Sequence, residues 1–200
     1  MPEPLEVDLE AWDAWSPQET ARRLRWSTAP WYVVGGWALD LFLRRQTRHH
    51  HDLEIGVPAH RFAELRSALG DMELVAIGDG RAWPLTDSTL ATHRQTWVRE
   101  REGTAWRLDI IREPWENDVW IYRRDPTIRL PAADLVRRTA DGIPYARPEV
   151  IVLFKARAPS AKDEADFETV LPELDSGRRA WLREALALAH PEHQWLERLR

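Results

Sequence analysis

The segment HDLEIGV, His51 to Val57, alternates cleanly, with Leu53, Ile55 and Val57 on one side and Asp52 and Glu54 on the other. Period-two alternation predicts a strand, so both carboxylates project from one face, close enough to share metal ions. Acceptor-only oxygens on a rigid strand suit hard divalent cations such as Mg2+, with Mn2+ as an alternative. An isolated Asp-x-Glu more often marks a solvated acidic face, so the chemistry needs support from elsewhere in the chain. Asp109 in WRLDII supplies a third carboxylate, on a stretch where Trp106, Leu108 and Ile110 alternate with Arg107, Asp109 and Ile111. Three carboxylates from two neighbouring strands can bridge two metal ions about 4 Å apart, the arrangement used for in-line displacement at phosphorus.

Upstream, VVGGWALDLFL reads as strand, glycine pair and helix. Gly35 and Gly36 leave room for close approach. The amides at the start of the helix, that of Trp37 among them, point outward at the positive end of the helix dipole, which makes an anion site in principle. Neither the Walker pattern GxxxxGK[ST] nor the dinucleotide pattern GxGxxG is present. Nor is the kinase set of Gly-rich loop, His-Arg-Asp and Asp-Phe-Gly, so nothing is arranged for γ-phosphoryl transfer. The positive charges are almost all arginine; the lysines are Lys155 and Lys162, close together. The run His49, His50, His51 does not read as a zinc site, because consecutive residues on an extended loop cannot all face one ion.

Those residues need a scaffold. In SPQETARRLRW, Ser16 caps a first helix, with Pro17 at its first position and Glu19 completing a capping box. Trp31 to Gly36 is a short buried strand, and a buried helix follows from Trp37. Pro58 opens a helix through Leu69. Further strands fall around 73–77, 96–100, 105–111 and 119–123. After Pro148 the pattern is helical to the end, in four segments. Strands with interspersed helices first and helices last predict an α+β fold: a mixed sheet with flanking helices in residues 1–146, then a helical bundle in 147–200.

Composition bounds the function. Two hundred residues, 44% of them apolar, and 12 Trp describe a folded chain rather than a disordered one. Most of those rings are expected in the core, with Trp12, Trp15, Trp26 and Trp31 packing the N-terminal segment on the body. Absence of cysteine excludes disulfides and thiolate chemistry. A net charge of -5 weighs against a general nucleic-acid binder. No window is apolar enough for a membrane span or a signal peptide, so the expectation is a cytoplasmic protein with no membrane partner.

Taken together, GGWALDLFLRRQTRHHHDLEI resembles the signature of the antibiotic nucleotidyltransferases of the polymerase-beta superfamily, notably the aminoglycoside and lincosamide types. The match runs through Gly35, Gly36, Trp37, Asp40, Thr47, Arg48, His50, Asp52 and Glu54, and extends by order of elements to Asp109. Farther on, Lys155, Lys162, Asp163 and Asp166 fit a Lys…Lys-Asp-x-x-Asp pattern of related nucleotidyltransferase-like proteins. The resemblance implies a polymerase-beta-type core and transfer of a nucleotide, AMP by preference, from an NTP such as ATP to a hydroxyl of a small acceptor such as an antibiotic, with pyrophosphate released.

The residue roles follow from the same resemblance. Asp52 and Glu54 hold two Mg2+ ions, and Asp109 holds the one that activates the acceptor and is a candidate for taking its proton. Gly35, Gly36 and the Trp37 amide hold the triphosphate, Arg48 neutralises it, and Lys155 reaches the phosphates. Glu54 departs from the commoner Asp by one methylene, and the C-terminal helices carry over no acceptor. Two other readings stand beside this one: a toxin-like enzyme acting on tRNA or protein, and a catalytically silent nucleotide-binding relative.

Overall fold

The computed structural model describes residues 2–199. From the N-terminus the chain forms α1 (Pro17–Arg23), β1 (Tyr32–Val33), α2 (Gly35–Leu43), β2 (Glu54–Pro58), α3 (Phe62–Ala68), β3 (Glu73–Gly78) and β4 (Arg81–Pro84). Next come α4 (Asp87–Thr92), β5 (Gln95–Arg99), β6 (Trp106–Glu113), β7 (Trp115–Glu116), β8 (Val119–Ile121), β9 (Arg129–Pro131), α5 (Ala132–Leu135), β10 (Val136–Arg138) and β11 (Pro144–Ala146). The last helices are α6 (Pro148–Lys155), α7 (Ala161–Val170), α8 (Ser176–Ala189) and α9 (Trp195–Arg198). The architecture is the α+β fold expected: mixed strands with flanking helices, and helices at the C-terminal end. Among the described residues no helix is long and apolar enough to cross a membrane.

Two compact units form. One comprises the chain up to Val33 together with His49–Trp115; the other comprises Val34–Arg48 and the chain from Glu116 onward. The units are parted at 33/34, 48/49 and 115/116, and within the second unit α2 packs against α6 and α7.

In the first unit the strands run in the order β1-β2-β6-β5-β3-β4. β2 and β6 pair in parallel, and the other neighbours are antiparallel. Leu53, Ile55 and Val57 are fully buried, as are Leu108 and Ile110 of β6, so the apolar side of each predicted alternation is the core side. Gly56 interrupts β2 for a steric reason: a Cβ there would stand 2.6 Å from the Tyr32 ring. Tyr32 runs across it to donate a hydrogen bond to buried Glu113. β2 is shorter than its alternation suggests, beginning at Glu54, with Asp52 on the segment leading in.

The N-terminal residues lie along this sheet as a strap. The Leu5 N–H donates to the Ala82 carbonyl at 2.8 Å, and the Trp106 N–H donates to the Ala11 carbonyl at 2.7 Å. Leu5, Val7, Leu9 and Trp12 thereby cover Val75, Ile77, Ala82 and Trp106. Trp12, Trp97 and Trp106 meet edge to face, with centroids 4.8 and 5.4 Å apart, a preferred geometry for aromatic pairs. Trp15 is buried, but Trp26 is 78% exposed. It lies past the end of α1, under the Arg25 guanidinium, and does not pack the helix. Ser16 caps α1 by accepting from the Glu19 N–H at 3.1 Å. The Glu19 carboxylate turns to Arg22 and Arg23, so the predicted box forms only its first half.

The second unit is built on α6, whose Val150, Ile151, Val152 and Leu153 are all buried. α2 contributes Ala38 and Leu39, and α8 packs on α6. Phe167 stacks on Trp195 at 4.2 Å and 9°, closing α7 against α9. β8 pairs with β9, and β10 with β11, both antiparallel.

Candidate active site

The parallel ladder between β2 and β6 sets Glu54 opposite Asp109 as Cα partners, and the Asp109 N–H donates to the Leu53 carbonyl at 2.9 Å. On the other side of β6, Trp97 of β5 is the antiparallel partner of Asp109. Residues paired across a sheet point to one face, so Glu54, Asp109 and Trp97 form a row across three strands. Asp52, two residues before Glu54 and half-buried with it, brings the third carboxylate to the same neighbourhood.

Their environments differ sharply. Asp109 is 2% exposed. Its Oδ2 accepts from the Gln95 side-chain amide at 2.8 Å, while its Oδ1 is buried with no hydrogen-bond partner. Burial, then the charge of Glu54, and to a lesser degree that of Asp52, raise its carboxyl well above the ordinary carboxylate range, against the pull of Gln95 and Trp97. The Trp97 indole N–H is itself buried without a hydrogen bond of normal geometry. Gln95 is therefore the firmer contact. A buried carboxylate oxygen with no donor, crowded by two more carboxylates, is a place where a cation would relieve both desolvation and repulsion.

An oxygen-only donor set of this kind suits a hard divalent cation. Among the described residues no three His, Cys, Asp or Glu side chains already stand close enough to hold an ion. His50 is buried, whereas His49 and His51 are exposed, with the His51 ring 6.4 Å from Trp12.

The remaining expected residues belong to the second unit. Gly35 opens α2 with φ +62°, in the left-handed region that glycine tolerates. Val34 is the N-cap and supplies no side-chain acceptor to the first turn. Asp40 lies within α2, and its Oδ1 accepts from the Thr47 hydroxyl at 2.6 Å and the Thr47 N–H at 3.2 Å. It thus folds back the loop that leads to Arg48.

Arg48 grips Asp166 of α7 with two parallel hydrogen bonds, Nε to Oδ1 at 3.0 Å and Nη2 to Oδ2 at 3.1 Å. Lys155, at the last turn of α6, pairs with Asp163 at 2.6 Å and Asp166 at 2.9 Å. Asp163 also caps α7 through Ser160. Burial opposes ionisation of Asp163, but Lys155 and Ser160 prevail and hold it at about 2. Asp166 is lowered in the same way by Arg48 and Lys155. The hydrogen bond to Asp166 raises Arg48. Lys155 is raised too, its two carboxylates outweighing burial.

Gln95 escapes a reading of the sequence: it precedes the strand that the apolar pattern marks, and nothing local ties it to Asp109. Asp166 falls within the Lys…Lys-Asp-x-x-Asp pattern, but its place as the shared partner of Arg48 and Lys155 is set by the fold.

Residues 18–92 match the family model of aminoglycoside-2''-adenylyltransferase. No curated protein matches the chain in sequence. Among solved structures, the solution structure of the antibiotic-resistance factor ANT(2'')-Ia superposes with a TM-score of 0.56 at 17% identity, covering 85% of this chain and 88% of that one. The lincomycin-bound lincosamide antibiotic adenylyltransferase LnuA does so with a TM-score of 0.53 at 17% identity, covering 76% of this chain and 92% of that one. The chain thus resembles the aminoglycoside and lincosamide nucleotidyltransferases, sharing their fold along most of its length and the family's sequence pattern over residues 18–92.

Proposed function

We propose that this protein is a metal-dependent nucleotidyltransferase that moves a nucleotide, AMP by preference, from an NTP to a hydroxyl of a small acceptor such as an antibiotic, releasing pyrophosphate. The observation that carries the reading is the Glu54–Asp109 register, which puts two of three carboxylates side by side and leaves a buried Asp109 oxygen without a donor. The family match over residues 18–92, a span that includes Asp52 and Glu54, supports it independently.

Asp52, Glu54 and Asp109 would hold Mg2+ or Mn2+, two ions in all. Bound there, the metal supplies Lewis-acid stabilisation of charge at the reacting phosphate and activates the acceptor hydroxyl. Asp109, the most buried of the three, is also placed in the role of proton acceptor. Gly35, Gly36 and the Trp37 amide, at the start of α2, are assigned to the triphosphate, and Arg48 and Lys155 to its charge. Both cations are preorganised by Asp166, which fixes their side chains before any nucleotide arrives. With 28 basic against 33 acidic residues, the chain favours a small acceptor over tRNA.

The experiment is a label test with purified protein, Mg2+ and a panel of hydroxylated antibiotics. With α-labelled ATP the label should appear on the acceptor, and with γ-labelled ATP it should appear in pyrophosphate. Label from the γ position on the acceptor would make the protein a kinase and overturn the reading.

A further inference from the structure

Resting on the metal reading above, we propose that Gln95 is the positioning residue for Asp109, holding Oδ2 so that the buried Oδ1 is the oxygen presented to the cation. Gln95 lies two residues from Trp97 on β5, so it is the diagonal neighbour of Asp109 on the same sheet face. Long side chains reach across such a diagonal. Its amide does so at 2.8 Å. One carboxylate oxygen is thereby engaged and the other left without a donor in a buried site.

The choice of side chain matters. An arginine or lysine at this position would neutralise Asp109 and compete with a divalent cation for it. A carboxylate would add to the repulsion already exerted by Glu54 and Asp52. A neutral amide orients the carboxylate while leaving its charge for the metal, as residues behind a metal ligand commonly do. β5 itself is held rigid by neighbours on both sides, β3 and β6, and Trp97 is braced by Trp12 and Trp106. The donor therefore sits on a fixed strand and not on a loop.

The test is Mn2+ binding to the nucleotide-free protein, measured by electron paramagnetic resonance, for wild type, Gln95→Leu, Gln95→Asn and Asp109→Asn. Gln95→Leu should weaken Mn2+ binding by about 10- to 100-fold, the usual effect of losing a partner behind a metal ligand. Gln95→Asn, which keeps a donor but withdraws it by one methylene, should fall between. Circular dichroism identifies variants that fold, and Gln95→Asn answers the question if Gln95→Leu does not. Weak binding in Asp109→Asn with wild-type binding in the folded Gln95 variants would overturn the positioning role alone. Wild-type Mn2+ binding in Asp109→Asn would overturn the metal reading on which the role rests.

Discussion

Glu54 and Asp109 are neighbours because β2 and β6 run parallel and in register, although 54 and 109 are far apart in the chain. A slip of one residue in that ladder would turn Asp109 into the core and Ile110 out of it. Ile55 and Ile110, both fully buried and themselves partners in the ladder, prevent the slip. The hydrophobic core thus sets the spacing of the charged site.

Removing the charge at Asp52 should abolish metal-dependent transfer and leave the fold intact. Asp52→Asn keeps the shape and relieves like-charge crowding. Turnover with Mg2+ and ATP should fall roughly a hundredfold or more, because several kcal/mol of charge stabilisation goes with a metal ligand. Full activity with an unchanged melting temperature would remove Asp52 from the ligand set.

Asp109 should impose a pH dependence on the metal-free protein. Its folded-state pKa lies above its unfolded value, chiefly through burial and secondly through Glu54. The native state therefore holds this proton more tightly. The associated stability is complete below the ordinary carboxylate range and declines as pH rises through the raised value. Denaturant midpoints measured from pH 4 upward should decline more steeply in wild type than in Asp109→Asn, and added Mn2+ should restore the wild type at high pH. Parallel profiles for the two proteins would contradict this assignment.

The two glycines should separate by experiment. Gly35 has φ +62°, so Gly35→Val forces a β-branched residue into the left-handed region and should cost about 1–3 kcal/mol of stability. Gly36→Val introduces a branched side chain where the phosphates are proposed to approach the helix amides. Its ATP affinity should collapse by more than its stability does. Calorimetry showing normal ATP binding by Gly36→Val would exclude the glycine pair as the phosphate site.

Asp166 joins Arg48 to Lys155, and its loss should be felt by both. Asp166→Ala leaves the half-buried Lys155 ammonium with Asp163 alone of its two carboxylates and takes the carboxylate from Arg48. With the carboxylate buried and the two cations half-buried, the cost lies between that of an exposed and that of a buried pair, about 1–3 kcal/mol. Thermal unfolding should record the loss. The network also predicts acid sensitivity: Asp163, held at about 2, contributes stability that is full above its unfolded pKa and lost as pH falls toward about 2. A melting temperature for Asp166→Ala within error of wild type would show that the network is dispensable.

Much of this protein was determined locally and was legible in the chain. Alternation around Leu53, Ile55 and Val57 identified β2 and its acidic side, and Ser16 and Pro17 marked the start of α1. The signature from Gly35 to Glu54 pointed to the antibiotic nucleotidyltransferases whose fold the structure shares. These are short-range patterns, in which side-chain period and capping chemistry act within a few residues. Pairings between distant segments were decided only in three dimensions. α2 leaves its sequence neighbours for α6 and α7, Arg48 finds Asp166 across 118 positions, and Gln95 reaches Asp109 along a sheet diagonal. A neutral glutamine before a strand, or an aspartate in the middle of a helix, carries no periodic signal. Its partner is set by strand register and helix packing, which bury the hydrophobic surface and bring the polar groups together as a consequence.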